Sequence, residues 1–157
     1  MALSERIEKN VDLGYYEGQI PVNYVYTYGL GLEKFFRAIM ERGEMLACCC
    51  PECDTVYFPC RIFCERCFTR IDESFSVPGT GTLYSYTVCH LGADGSPLEK
   101  PRVIALVEMD GAPGGVFMHQ LKGEPGAIAI GMKVKAVLKS RKERAGGLFD
   151  IEYFEQA

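Results

Sequence analysis

The chain has 157 residues, of which 48% are hydrophobic, 24% charged and 11% aromatic, and its formal net charge is −4. That balance excludes disorder over most of the chain, and the length suits a small metal-stapled module plus a compact β-domain. No apolar stretch approaches the ~20 residues of a membrane-spanning helix, and the acidic charge argues against nucleic acid, whose phosphates call for clustered Lys and Arg.

The opening MALSERIEKN lacks the apolar segment of a secretory leader, and eight cysteines without one point to a reducing cytoplasm, where thiols serve metals better than disulfides. Residues 1–30 continue as an aromatic, glycine-punctuated arm with Tyr15, Tyr16, Pro21, Tyr24, Tyr26 and Tyr28. No helical or strand period is sustained there. The arm either contacts a partner, as wet-edged tyrosines commonly do, or folds back on its own domain. Leu32, Phe35, Phe36, Ile39 and Met40 then fall at i, i+3, i+4, i+7 and i+8, which predicts an amphipathic helix ended by Gly43. Its apolar stripe must dock on another element, because three turns cannot hold themselves together.

Cys50-Pro-Glu-Cys53 and Cys64-Glu-Arg-Cys67 follow, two pairs with the two-residue spacing of metal knuckles. Four thiolates facing one another close a tetrahedral site with no position left for water, which is a structural site rather than a catalytic one. Cys50, Cys53, Cys64 and Cys67 are therefore the expected zinc ligands, with Val56, Tyr57, Phe58, Pro59, Ile62 and Phe63 in a short hairpin between them. Spacing alone does not fix the register: Cys48 and Cys49 crowd the first knuckle, and Cys60 lies four residues before Cys64. Buried thiols or a disulfide pair are the structural alternative. Arg61, Arg66 and Arg70 sit where they could offset the charge of a four-thiolate site.

Residues 72–80 read as a linker, and the remainder as five strands: Leu83–His90, Val103–Met109, Val116–Leu121, Met132–Lys139 and Leu148–Phe154. Clusters of Gly and Pro separate them. The expected fold class is mainly β with an N-terminal helix, a zinc ribbon followed by a five-stranded OB-fold barrel. The expected division is 1–46 arm and helix, 47–71 ribbon, 72–80 linker and 81–157 OB domain. The one basic run, Lys133 to Arg144, is either a solvated strand edge or a phosphate contact. Cys89 and His90 point to opposite faces of a strand and cannot form a nucleophilic couple, and Asp150 and Glu152 share a parity that suggests an exposed face. No phosphate-cradling loop or nucleophile elbow is present.

The order of these features resembles one family: the acyl-CoA-associated OB-fold proteins with a rubredoxin-like zinc ribbon. The segments that carry the resemblance are YTYG at 26–29, FFRAIMERGEML at 35–46, VYFPCRIFCERC at 56–67, GTGTLYSYTVCH at 79–90 and AIGMKVKA at 129–136. One departure is that Pro59 is followed by Cys60 where family members commonly carry a second proline. The resemblance implies a non-catalytic accessory subunit, cytoplasmic and hetero-oligomeric, that helps hold coenzyme A beside a thiolase-like large subunit. Family assemblies include archaeal acetoacetyl-CoA thiolase with hydroxymethylglutaryl-CoA synthase, and benzoylsuccinyl-CoA thiolase. On that implication Arg61, Arg66, Arg102 and Lys122 are candidates for the coenzyme A phosphates, and Tyr84, Tyr86 and Phe117 for stacking on adenine. Two rivals remain at this point: an OB-fold and zinc-ribbon nucleic-acid module, and an independent acyl carrier acylated on Cys60 or Cys89.

Overall fold

The computed structural model describes Gly14, Gly18, residues 25–92 and residues 94–157. Most of the tyrosine arm (Tyr15, Tyr16, Pro21 and Tyr24) lies outside the described residues. Helix α1 spans Gly29–Arg42 and buries Phe35, Phe36, Ala38 and Ile39, the stripe set by the sequence period. Gly43 ends it at φ 74°, a left-handed conformation that a side chain would resist, and donates its N–H to the Ile39 carbonyl at 2.9 Å.

Three short strands form the first sheet. β1 (Met45–Cys49) lies in the middle, with β2 (Val56–Tyr57) and β3 (Phe75–Val77) antiparallel on either side. β3 falls inside the stretch read from sequence as a linker, where Met45 pairs with Val77 and Ala47 with Phe75. The second sheet is a closed barrel of β4 (Thr80–Leu91), β5 (Pro97–Met109), β6 (Val116–Leu121), β7 (Lys133–Leu138) and β8 (Ile151–Gln156). Around the barrel the order is β4-β5-β6-β8-β7, with β6 and β8 parallel and the other pairs antiparallel. These five strands make the OB-type barrel expected from the glycine-marked bends. β5 begins at Pro97, six residues before the expected start at Val103.

One aromatic cluster joins helix, ribbon and barrel. Phe35 packs edge-on to Phe58 at 5.4 Å, Phe58 edge-on to Phe117 at 5.5 Å, and Phe117 lies 6.3 Å from Phe154. Edge-to-face pairs of this kind add ~0.5–1.5 kcal/mol beyond the area they bury. The ribbon approaches the barrel so closely that a Cβ at Gly115 would sit 2.7 Å from Phe58 Cβ, a distance only glycine permits. The far end of the helix is fastened by residues 139–150. Arg144 donates to the Ile39 carbonyl at 3.0 Å and to the Lys139 carbonyl at 2.8 Å. Asp150, expected on an exposed face, is only 1% exposed. It ends a 3-10 turn (Leu148–Asp150) rather than lying in β8, so strand parity does not govern its direction. Its carboxylate accepts the backbone N–H groups of Ala145, Gly146 and Gly147 at 2.8, 2.7 and 3.4 Å.

Candidate functional site

Cys50 and Cys64 open two knuckles of the same build. Cys50 N–H donates to the Thr55 carbonyl at 2.9 Å and Asp54 N–H to the Cys50 carbonyl at 3.0 Å; Cys64 and Phe68 repeat both bonds, with Thr69, at the same distances. Asp54 and Phe68 take positive φ values of 54° and 59°, the reversal each knuckle needs after its second cysteine. Thr55 and Thr69 place their hydroxyls 3.2 and 3.4 Å from Cys53 Sγ and Cys67 Sγ. The signal for these two threonines was visible in the sequence as C-x-x-C-x-T twice over, and reading the ligands alone missed it.

The four sulfur atoms lie within 4.8 Å of one another, with Cys50–Cys67 at 3.4 Å, Cys53–Cys64 at 3.6 Å and Cys53–Cys67 at 3.8 Å. Metal–sulfur bonds of ~2.3 Å in a tetrahedron put the sulfurs about 3.8 Å apart, so the spacing fits one ion. Cys50 and Cys64 are buried and Cys53 and Cys67 face outward. The Tyr57 hydroxyl, 3.2 Å from Cys64 Sγ, pulls that thiol down to about 6, and the same contact, with burial, pushes Tyr57 up to about 12. A stabilised thiolate is the form a metal takes. Cys48, Cys49 and Cys60 stay out of the cluster. Cys48 accepts the Arg61 N–H at 3.1 Å, Cys60 donates to the Gly31 carbonyl at 3.4 Å, and Cys49 is exposed. Arg70 is paired with Asp72 and Arg61 with Glu65, both at 2.6 Å, and Cys64 Sγ accepts the backbone N–H of Arg66 at 3.4 Å.

The residues considered for coenzyme A fall in several places. Arg61 stacks over the Tyr57 ring at 4.7 Å, pairs with Glu65 at 2.6 Å, and lines a cavity of about 440 Å³ with Tyr28, Leu30, Leu32 and Ile62. Arg66 reaches Thr55 Oγ1 at 3.4 Å on the outer side of the ribbon. Arg102 and Lys122 come together at a different cavity of about 550 Å³ on the barrel. Tyr84 is 61% exposed. Tyr86 instead turns inward, packs against the core and donates its hydroxyl to the Ile128 carbonyl at 3.3 Å. A bulge between Leu83 and Ser85 sends the two tyrosines to opposite faces. Phe117 is buried at the centre of the aromatic cluster, 8% exposed, so it has no open face for a base, a correction to the sequence reading.

His90 is exposed at the end of β4, whereas His119 on β6 is half-buried and stacks on Phe117 at 6.0 Å. Burial holds its imidazole below the usual range, and its buried Nδ1 has no hydrogen-bond partner. No helix of the described residues is long and apolar enough to cross a membrane.

Residues 76–139 match the family model of the ChsH2 C-terminal OB-fold domain. Two archaeal relatives are DUF35 domain-containing scaffold proteins. That of Methanocaldococcus jannaschii is 34% identical over 69% of this chain and 77% of its own length, and that of Methanothermobacter thermautotrophicus 31% identical over 69% and 81%. The fold is similar to that of a DUF35-family protein of Sulfolobus solfataricus, with a TM-score of 0.62, 21% identity, and coverage of 82% of this chain and 87% of the other. It is also similar to a chain of the Ltp2-ChsH2(DUF35) aldolase, with a TM-score of 0.57, 26% identity, and coverage of 78% and 91%. With its paired cysteine knuckles ahead of a five-stranded OB barrel, and that degree of identity to both archaeal relatives, the chain belongs to the family of DUF35 domain-containing scaffold proteins.

Proposed function

We propose that this chain is a non-catalytic accessory subunit of a thiolase-type acyl-CoA complex, holding a catalytic large subunit and contributing to coenzyme A binding. The scaffold role of its relatives supports this reading, and one surface observation carries it. Leu30, in the first turn of α1, and Phe63 and Phe68, on the ribbon, are 66, 51 and 80% exposed. Large apolar side chains exposed to this degree suit a surface that a partner subunit covers. The four-cysteine cluster holds one structural zinc through Cys50, Cys53, Cys64 and Cys67, which fixes the knuckles that present Phe63 and Phe68. In functional terms the chain divides into arm and helix (1–46), ribbon (47–71), connecting segment (72–80) and OB domain (81–157). Coenzyme A contacts are assigned to Arg61 and Arg66 on the ribbon and to Tyr84, Arg102 and Lys122 on the barrel.

The test is affinity purification of the tagged chain from its own cells, mass spectrometry of the proteins retained, and a thiolysis assay on the eluate. A stoichiometric thiolase-fold partner with coenzyme-A-dependent activity is the expected result. A chain recovered alone, or with nucleic acid, overturns the proposal in favour of the binding-module reading.

A further inference from the structure

The basic run of the sequence, Lys133 to Arg144, divides in two in the fold. Lys133 and Lys135, on β7, are paired with Asp110 at 2.8 Å and Glu155 at 3.4 Å, so this half is a solvated strand. Lys139, Arg141 and Lys142 lie in the loop that joins β7 to β8, and among the described residues their side chains meet no hydrogen-bond acceptor or carboxylate. The carboxylates of the loop itself are engaged elsewhere. Glu143 accepts the Ser140 hydroxyl at 2.6 Å, and Asp150 accepts the N–H groups of Ala145, Gly146 and Gly147. The Asp150 carboxylate thus fills a concavity of convergent backbone N–H groups that would otherwise suit a compact anion such as phosphate. The loop is closed at its base, where Lys139 N–H donates to the Asp150 carbonyl at 2.9 Å and Arg144 Nε to the Lys139 carbonyl at 2.8 Å, and Arg144 ties it to α1 at the Ile39 carbonyl, 3.0 Å away. Its cations are therefore presented by a fixed frame. Leu148 and Phe149, in the 3-10 turn of the same loop, are 42 and 80% exposed. Adjacent apolar side chains at the surface, in a loop whose cations have no internal partner, call for a ligand that supplies both an apolar contact and dispersed negative charge. In OB barrels the loop between the fourth and fifth strands is a recurrent binding element, and this loop holds that position.

We propose that residues 139–149 dock an acidic segment of a partner protein, with its carboxylates on Lys139, Arg141 and Lys142 and an aliphatic or aromatic side chain over Leu148 and Phe149. Charge complementarity identifies the occupant. Carboxylates spaced along a chain match cations spaced around a loop, whereas the concavity fit for a compact phosphate is already filled by Asp150. A bilayer surface fits less well: a chain of net charge −4 is repelled by anionic lipid, and Leu148 with Phe149 offers less anchorage than a single acyl chain, which is itself marginal. Tyr28 donates its hydroxyl to the Gly146 carbonyl at 3.5 Å, so the surface runs on from the loop to the start of α1. The contact requires neither coenzyme A nor a thiolase and stands apart from the reading above.

The experiment uses the full-length, zinc-loaded chain and a capped, fluorescently labelled peptide, Asp-Glu-Leu-Asp-Phe-Glu-Asp-Leu-Glu, beside a control peptide in which every carboxylate is replaced by its amide. Fluorescence anisotropy gives the affinity. Carbodiimide coupling, which joins a lysine amine to a carboxylate as an amide while the reagent takes up the water as a urea, gives the location by mass spectrometry. The acidic peptide is expected to bind and its amide counterpart not to, with coupling at Lys139 and Lys142 and an affinity that falls as salt rises to ~0.5 M. R141E/K142E should weaken binding by about tenfold or more, and F149A by a similar factor. All three side chains are exposed, so the variants keep the fold. K100E, a charge reversal at an exposed lysine of β5, should leave the affinity nearly unchanged. No binding, binding that survives R141E/K142E, or coupling confined to lysines outside the loop overturns the proposal. Phosphatidylserine vesicles or single-stranded oligothymidylate held more tightly than the peptide through the same residues would replace the protein segment with a membrane surface or with nucleic acid.

Discussion

Replacing Asp150 with alanine should destabilise the protein far more than a typical carboxylate substitution. Its side chain is 1% exposed and accepts three backbone N–H groups, two of them at 2.7 and 2.8 Å. These bonds are part-buried, and each donor left without its charged acceptor costs at most ~1–3 kcal/mol. Two strong donors and one longer one make about 3–5 kcal/mol. The loss spreads to the helix, because the same loop carries Arg144 to the Ile39 carbonyl and Gly146 against Met40. For a chain of this length each kcal/mol lowers the melting temperature by ~2–4 °C, so D150A should melt about 10 °C below the wild type. Urea unfolding of the zinc-loaded protein, followed by circular dichroism, measures the free energy directly. D150N, which keeps one accepting oxygen, should fall between the two. A D150A loss below about 1 kcal/mol would refute the reasoning, since it would mean the loop satisfies its N–H groups without the carboxylate.

Serine at Cys53 or Cys64 should abolish binding of one zinc per chain and lower solubility, and retention of the full metal content by both variants, measured by mass spectrometry under native conditions, would show the ligand set to be wrong. The His119 imidazole is held below its ordinary 6.5 by burial, so the folded chain protonates at lower pH than the unfolded one. Its contribution to stability is full above that value and is lost as pH falls toward the depressed folded value; H119L should flatten this part of the stability profile, and an unchanged profile would contradict the assignment. Incubation with acetyl-CoA should leave the intact mass unaltered. Cys60 is buried, with a thiol pushed up to about 11, so it offers little thiolate at neutral pH, and an acetyl adduct on it or on Cys89 would restore the carrier reading.

Features with a local period were legible in the sequence. The stripe from Leu32 to Met40 and the terminating Gly43 gave α1, and the two-residue cysteine spacing picked out four sulfurs that the fold brings together, leaving Cys48, Cys49 and Cys60 aside. Glycine clusters gave the strand count of the barrel. What escaped were decisions made by tertiary pairing. Strand β3 is three residues, too short for a pattern, and exists because β1 needs a second neighbour. Pro97 argued for a turn, yet it and Pro101 are both tolerated in the first part of β5. Tyr84 and Tyr86 look alike two residues apart until the bulge between Leu83 and Ser85 reverses the parity. Phe117 sits in a run, Val116 to Met118, that is apolar on both faces, so only the docking of Phe35 and Phe58 on the barrel decides that it points inward.

The accessory-subunit account is tested most directly by thiolysis kinetics on separated and recombined components: this chain alone, its purified large partner alone, and the two together. The account predicts no turnover by the chain, weak or no turnover by the partner, and restored coenzyme-A-dependent activity on mixing at a fixed stoichiometry. Turnover by the isolated chain, or a partner whose rate and coenzyme A affinity are the same with and without it, would contradict the account.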